Sequence, residues 1–289
     1  MEPWVGKEEE REILKVIRSG WITESGETRL FEQRISDFLG VPYVSVVTNG
    51  TVSLAIGLWA LGIGTGDEVI VPDFTMVATP NAVLMAGAKP VFVDIEKETL
   101  CLDMTDVEKK ITSRTRAVMP VALNGRSPDM DKLVALCKKK NIYVLEDSAQ
   151  AFGSTWKNKY LGTFGEIGSY SFSTPKVITT GQGGALVTND KKLYEKIIRL
   201  KDFGRLDRNT QDHDEIGYNF KFTDVLAAIG IAQMKKLPAR LKRKKEMFAI
   251  YKKELEGVSG IQFFTTDLTQ VSPWFIDIFV DDPKALQNH

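Results

Sequence analysis

Residues 44–93 read VSVVTNGTVSLAIGLWALGIGTGDEVIVPDFTMVATPNAVLMAGAKPVFV, and this stretch sets the architecture. Val44-Ser45-Val46-Val47, Glu68-Val69-Ile70-Val71 and Pro90-Val91-Phe92-Val93 are short apolar runs rich in β-branched residues. Thr51 to Leu61 and Thr75 to Met85, between them, read as helices. Continuous apolar strands alternating with helices describe an α/β fold with a largely parallel central sheet and helices on both faces. Downstream the series continues with Ala117 to Ala122, an amphipathic helix over Met130 to Lys140, and Tyr143-Val144-Leu145. Gly168 to Phe172 and Gly184 to Val187 read as further strands, leaving Lys176 in a loop between them.

Upstream, Glu8 to Arg18 and Glu27 to Leu39 read as helices, the second closed by Gly40. A long helix is expected over Thr223 to Glu256, its basic run Arg240 to Lys245 forming a solvated face. Gly260 to Phe264 and Trp274 to Val280 look like two strands of a second unit. The expected division is a large α/β domain over residues 1–235 and the start of a smaller one over 236–289.

Lysine plus arginine equals aspartate plus glutamate at 38 each, so no overall field draws the chain to nucleic acid or to an anionic membrane. A small molecule is the default partner. Two cysteines, Cys101 and Cys137, do not make a disulfide framework. The acidic N-terminus is unlike a secretory signal, and no apolar run approaches the ~18 residues of a membrane span, so a cytoplasmic protein is expected. No metal site is expected.

Three motifs carry chemistry. Glu146-Asp147 follows a strand, where an α/β sheet places ligand groups; either carboxylate could reach a ligand, or both could cap the turn. Ser169-Tyr170-Ser171-Phe172-Ser173-Thr174-Pro175-Lys176 precedes Thr179-Thr180-Gly181-Gln182-Gly183-Gly184. A lysine among hydroxyls and glycines suits a Schiff base beside a phosphate cradle, although a surface lysine near a glycine turn would look the same. Thr48-Asn49-Gly50-Thr51-Val52-Ser53 is a strand-to-helix junction, either an anion site or a plain helix cap by Thr48 or Asn49.

Taken in order, these motifs resemble the DegT/DnrJ/EryC1/StrS family of sugar aminotransferases. The likeness also runs through Ser19-Gly20-Trp21-Ile22, Gly64-Thr65-Gly66-Asp67-Glu68, Gly87-Ala88-Lys89-Pro90 and Gly217-Tyr218-Asn219-Phe220-Lys221. The resemblance implies an aspartate-aminotransferase-like fold (fold type I), pyridoxal 5'-phosphate as cofactor, and a nucleotide-sugar substrate with an amino-acid donor, glutamate. By the same resemblance Lys176 is the lysine that holds the cofactor, Asp147 pairs with its pyridine nitrogen, and Gln150 meets its ring hydroxyl. Gly50, Thr51 and Ser171 match contacts to the cofactor's phosphate, and Val52 matches a further cofactor-binding position. Asn219 matches a residue reaching the phosphate of a neighbouring subunit, which implies a homodimer with a shared active site. A dehydratase branch carries histidine in place of Lys176, so the lysine favours transamination. Ile178-Thr179-Thr180-Gly181 is similar to the perosamine-synthase-like subgroup.

Several positions depart from the family pattern. Met76 stands where an aromatic ring usually covers the cofactor; a thioether can pack there. Gln182 replaces an acid, and Asn124-Gly125-Arg126 replaces Tyr-Gly-Gln, so both are expected to retune a loop or the substrate pocket. Lys201 and Arg205 are candidates for nucleotide phosphates, surface charge being the alternative, and His213 reads as exposed. Family members normally continue past the position of His289, so the small domain is expected to be incomplete. The rival function is a non-catalytic binding or regulatory protein that kept the fold. An amino-acid aminotransferase would need an arginine clamp, and none can be assigned.

Overall fold

A computed structural model describes residues 3–205, 207, 209, 211–213 and 215–288. Two N-terminal helices, α1 (Lys7–Ser19) and α2 (Gly26–Leu39), precede β1 (Tyr43–Val47), α3 (Gly50–Ala60), β2 (Glu68–Pro72), α4 (Ala78–Met85) and β3 (Lys89–Val93). Gly40 ends α2 at φ 68°, as a left-handed C-terminal cap does. Then come α5 (Met104–Lys110), β4 (Thr115–Val118), α6 (Met130–Lys140) and β5 (Tyr143–Asp147). A hairpin, β6 (Thr155–Trp156) and β7 (Lys159–Tyr160), leads to β8 (Ile167–Ser171), β9 (Gly184–Thr188) and α7 (Lys191–Lys201).

Seven of these strands form one sheet in the order β1-β9-β8-β5-β4-β2-β3. β9 pairs antiparallel with both β1 and β8, and the other pairings are parallel. Alternate residues of each strand feed opposite layers. Val69 and Val71 join a core with α3, α4 and α7, whereas Ile70, Val118 and Val144 face α5 and α6. On that same second face, Val44, Val46, Ala185 and Val187 pack with Phe31, Ile35 and Ile231 of α2 and the long helix that follows. Both faces are therefore covered, as parallel strands require.

That long helix, α8, runs unbroken from Asp224 to Glu254 with Thr223 as its cap, crossing the expected boundary at residues 235–236. It packs against both α1 and α2. Both carboxylate oxygens of Asp224 reach back to α2: they accept from the amides of Ser25, Glu27 and Thr28 and from the Thr28 hydroxyl. The basic run is only partly solvated. Arg240 donates to the carbonyls of Val177 and Trp4, and Lys244 to that of Trp274.

Strands β10 (Ile261–Phe263) and β11 (Ile278–Val280) pair antiparallel, and a short α9 (Pro283–Asn288) follows. The element read to Ala122 ends at Val118, and two expected elements begin several residues later than their composition suggests. The helix read from Thr75 begins at Ala78, because residues 73–77 form the loop leaving β2. The strand read from Trp274 begins at Ile278, because residues 271–277 leave regular structure to hydrogen-bond with Asn124, Arg126, Ser154 and Pro175. No described helix is long and apolar enough to cross a membrane. Cys101 and Cys137 are free and buried, and burial pushes their thiols up to about 11 and about 12.

Candidate active site

The parallel strands end along one edge, where ligands of open α/β sheets sit. β5 delivers Asp147 there, β8 delivers Ser171, and the turn after β1 opens into α3. Because β9 runs the other way, its first residue, Gly184, lies at the same edge. A cavity of about 560 Å³ opens between them. Asn49, Gly50, Thr51, Val52, Met76, Asp147, Gln150, Ser171 and Lys176 all line it, so eight of the nine site residues expected from the sequence meet there.

The start of α3 supplies amide donors. Asn49 caps the helix: its side chain accepts from the Val52 amide at 2.9 Å and its carbonyl from Ser53. The amides of Gly50 and Thr51 come first in the helix and have no carbonyl four residues back within it. They sit at the positive helix end on the cavity wall, where an anion is favoured. Gly50 permits the close approach that builds this wall, since a Cβ there would lie 2.9 Å from the Cβ of Ser171.

Strand alternation separates the two carboxylates. Glu146 points away from the cavity and accepts from the amides of Gly162, Phe164 and Gly165, so it braces a loop. Asp147 points into the cavity with 5% of its surface exposed. Thr79 donates to its Oδ2 at 2.8 Å and the Ala149 amide to its Oδ1 at 3.2 Å. Burial holds the Asp147 carboxyl above the ordinary range, opposed by those two donors and by the charge of Lys176. Burial lowers Lys176 to about 8, opposed by Asp147.

One residue unforeseen in the sequence reading completes the wall. Trp274 sets its ring 3.7 Å from the Lys176 Nζ. Its indole N–H donates to the Pro175 carbonyl at 2.6 Å, and Lys244 holds its own carbonyl at 2.7 Å. Thr79 was also unforeseen. Met76 and Gln182 both line the cavity, but Asn124-Gly125-Arg126 does not: Asn124 and Arg126 bind segment 271–277. No arginine lines the cavity among the described residues.

Two candidates lie elsewhere. Asn219 is exposed, in an isolated bridge to Asp202, and is no part of this chain's cavity wall. Lys201 overturns both readings given to it. It is 0% exposed, donates to the Val46 carbonyl at 3.0 Å, and pairs with Glu24 at 3.1 Å and Glu32 at 3.6 Å. It is neither a surface charge nor a phosphate ligand. Arg205 pairs with Asp202 at 3.0 Å, and the ring of exposed His213 meets the Phe203 carbonyl.

The sequence profile of the DegT/DnrJ/EryC1/StrS aminotransferase family matches residues 3–287. The chain is 41% identical to a GDP-perosamine synthase of Escherichia coli O157:H7, over 98% of this chain and 79% of that protein. With a GDP-perosamine synthase of Vibrio cholerae the identity is 38%, over 97% and 77%. Among solved structures, S. venezuelae DesV in complex with a ketimine intermediate superposes with a TM-score of 0.92 at 32% identity, covering 98% of this chain and 76% of that one. The PMP-form of a putative sugar aminotransferase, Spr1654 from Streptococcus pneumoniae, gives 0.89 at 30%, covering 94% and 74%. The α/β architecture read from residues 44–93 is thus the fold of these aminotransferases, and the chain belongs to the DegT/DnrJ/EryC1/StrS aminotransferase family.

Proposed function

We propose that this aminotransferase acts on a 4-keto deoxyhexose carried on GDP, with glutamate as the amino donor. The convergence of Lys176, Asp147 and the α3 N-terminus on one cavity carries the reading. Pyridoxal phosphate is the cofactor; when bound, it supplies the aldehyde that accepts and returns the amino group and the ring that stabilises the developing carbanion. The residues present fit it. The amides of Gly50 and Thr51, with the Ser171 hydroxyl, suit the phosphate, and Val52 and Met76 offer apolar contact to the ring.

Lys176 would anchor the cofactor through Nζ and, when free, would take and return a proton at that atom. Its lowered proton affinity keeps a substantial fraction neutral near pH 8. Asp147 holds a proton on the pyridine nitrogen, oriented by Thr79. Gln150 donates to the ring oxygen. The division into a cofactor-binding domain (1–235) and the beginning of a smaller one (236–289) belongs to this reading, with α8 spanning the boundary.

The working unit in this proposal is a homodimer in the cytoplasm, Asn219 of each copy completing the other's phosphate site. Exposed Trp21, Ile22, Phe74 and Val77 give apolar surface for such a contact. The GDP-linked sugar follows from the likeness to the two perosamine synthases, and a non-catalytic role is not favoured by these relatives. To test the function, glutamate is added to the cofactor-loaded protein while the visible spectrum is followed, and then the keto-sugar nucleotide. Bleaching by glutamate and recovery with the sugar is the expected outcome. Bleaching without recovery on any 4-keto sugar nucleotide rejects the substrate, and no bleaching rejects the donor.

A further inference from the structure

The turn at residues 122–126 lies between the cavity and the segment 271–277, and its hydrogen bonds have one possible polarity. The Asn124 amide donates at 2.9 Å to the side chain of Gln150. A backbone N–H can only donate, so the atom it meets is Oε1, which leaves the two Nε2 donors for the cavity that Gln150 lines. On its other side Asn124 grips Phe275 twice. Its Nδ2 donates to the Phe275 carbonyl at 2.9 Å, and its Oδ1 accepts from the Phe275 amide at 2.6 Å.

Asn124 is buried and sits at φ 52°, ψ 30°, left-handed geometry that asparagine tolerates better than most residues. Nothing around it is loose. A Cβ on Gly125 would lie 2.7 Å from the Ser154 hydroxyl and 2.9 Å from the Ser272 carbonyl. Arg126, 3% exposed, pairs with Asp277 and donates to the Thr99 carbonyl at 2.9 Å. The same segment 271–277 brings Trp274 to Lys176.

We propose that Asn124 is a positioning residue that ties the seating of segment 271–277 to the face of the Gln150 amide presented to the cofactor. When the segment is seated, Asn124 holds its strained backbone and its N–H points at Oε1. When it is not, the Gln150 amide is free to turn, and its oxygen opposes the oxygen of the ring. The inference rests on the assignment of Gln150 to that oxygen.

Asn124→Gly keeps the left-handed backbone accessible and removes both grips on Phe275. Asn124→Asp keeps the acceptor alone. The readout is the pH midpoint of the visible absorbance of the lysine-linked cofactor, measured on the cofactor-loaded protein, with Lys176→Ala as the control for the band. Asn124→Gly is expected to move the midpoint in the same direction as Gln150→Ala, Asn124→Asp less far, and Asn124→Gly with Gln150→Ala no farther than Gln150→Ala alone. A midpoint moved by Gln150→Ala but by neither Asn124 variant overturns the coupling and leaves the cofactor site standing, as does a double variant whose shifts add. A midpoint unmoved by Gln150→Ala overturns it together with the Gln150 assignment. No Lys176-dependent band overturns it together with the proposed cofactor site. Should Asn124→Gly fail to fold, Asn124→Asp, nearly isosteric, decides between these outcomes.

Discussion

Lys201 is buried and Lys176 only half-buried, and the two lysines teach opposite lessons. Around Lys201 two carboxylates, Glu24 and Glu32, and one carbonyl fill the ammonium's surroundings, with Arg29 joining the same carboxylates. Every charge there is answered, and the cluster ties the N-terminal segment to α7 and β1. Lys176 has one anion nearby, Asp147, an indole face above, and open volume in front. Burial with full compensation builds structure. Burial that is only half compensated leaves a group whose protonation and bonding can change, which is what a reacting amine requires.

Substitutions at the two sites should therefore separate function from stability. Lys176→Ala should abolish the lysine-linked cofactor band and cut transamination by on the order of 10³-fold or more, with the thermal midpoint little changed. A residual band of parental size would place the anchoring amine elsewhere. Lys201→Met should do the reverse. Leaving Glu24 and Glu32 short of a partner costs about 3 kcal/mol in denaturant unfolding, while the folded fraction still binds cofactor. Asp147→Asn should keep the cofactor attached and lower turnover by about 10²–10³-fold in steady-state assays, because a neutral amide cannot hold the ring nitrogen protonated. The smallest effect is one of pH. The neutral amine is the nucleophile, so cofactor capture by Lys176 in stopped flow should rise about tenfold per pH unit below about 8 and level off above it. A rise continuing unbroken toward pH 10 would mean that the site does not lower the lysine.

How much of this could be read from the sequence differs by residue for physical reasons. The layers were open to reading because apolar runs such as Val69-Ile70-Val71 declare strands buried on both faces. Asp147 and Glu146 were not separable by composition; the pleat sends one to the cavity and the other to the 162–165 loop. Lys201 left a signal that charge obscured. It falls on the helix face of Ile197 and Leu200, at the spacing that buries a side chain. Trp274 left none, since its meeting with Lys176 spans 98 positions and depends on an irregular segment. Asn219 was carried to its role by resemblance alone, and the question it poses concerns two chains. Mixing Lys176→Ala with Asn219→Ala protomers should restore one whole site per mixed dimer if the site is shared.

Asp224 and β9 together set a timetable for the nascent chain. Strand β1 finds its sheet partner only at residues 184–188, and the start of α2 meets its caps only at residue 224. At about 5–20 residues per second, some 10–40 s of synthesis separate the emergence of α2 from the arrival of the carboxylate that closes it. Until then Phe31 of α2 lacks the face of α8 at Gly230 on which it packs, and β1 lacks its sheet partner for most of the same interval. An element made early is thus among the last to be settled.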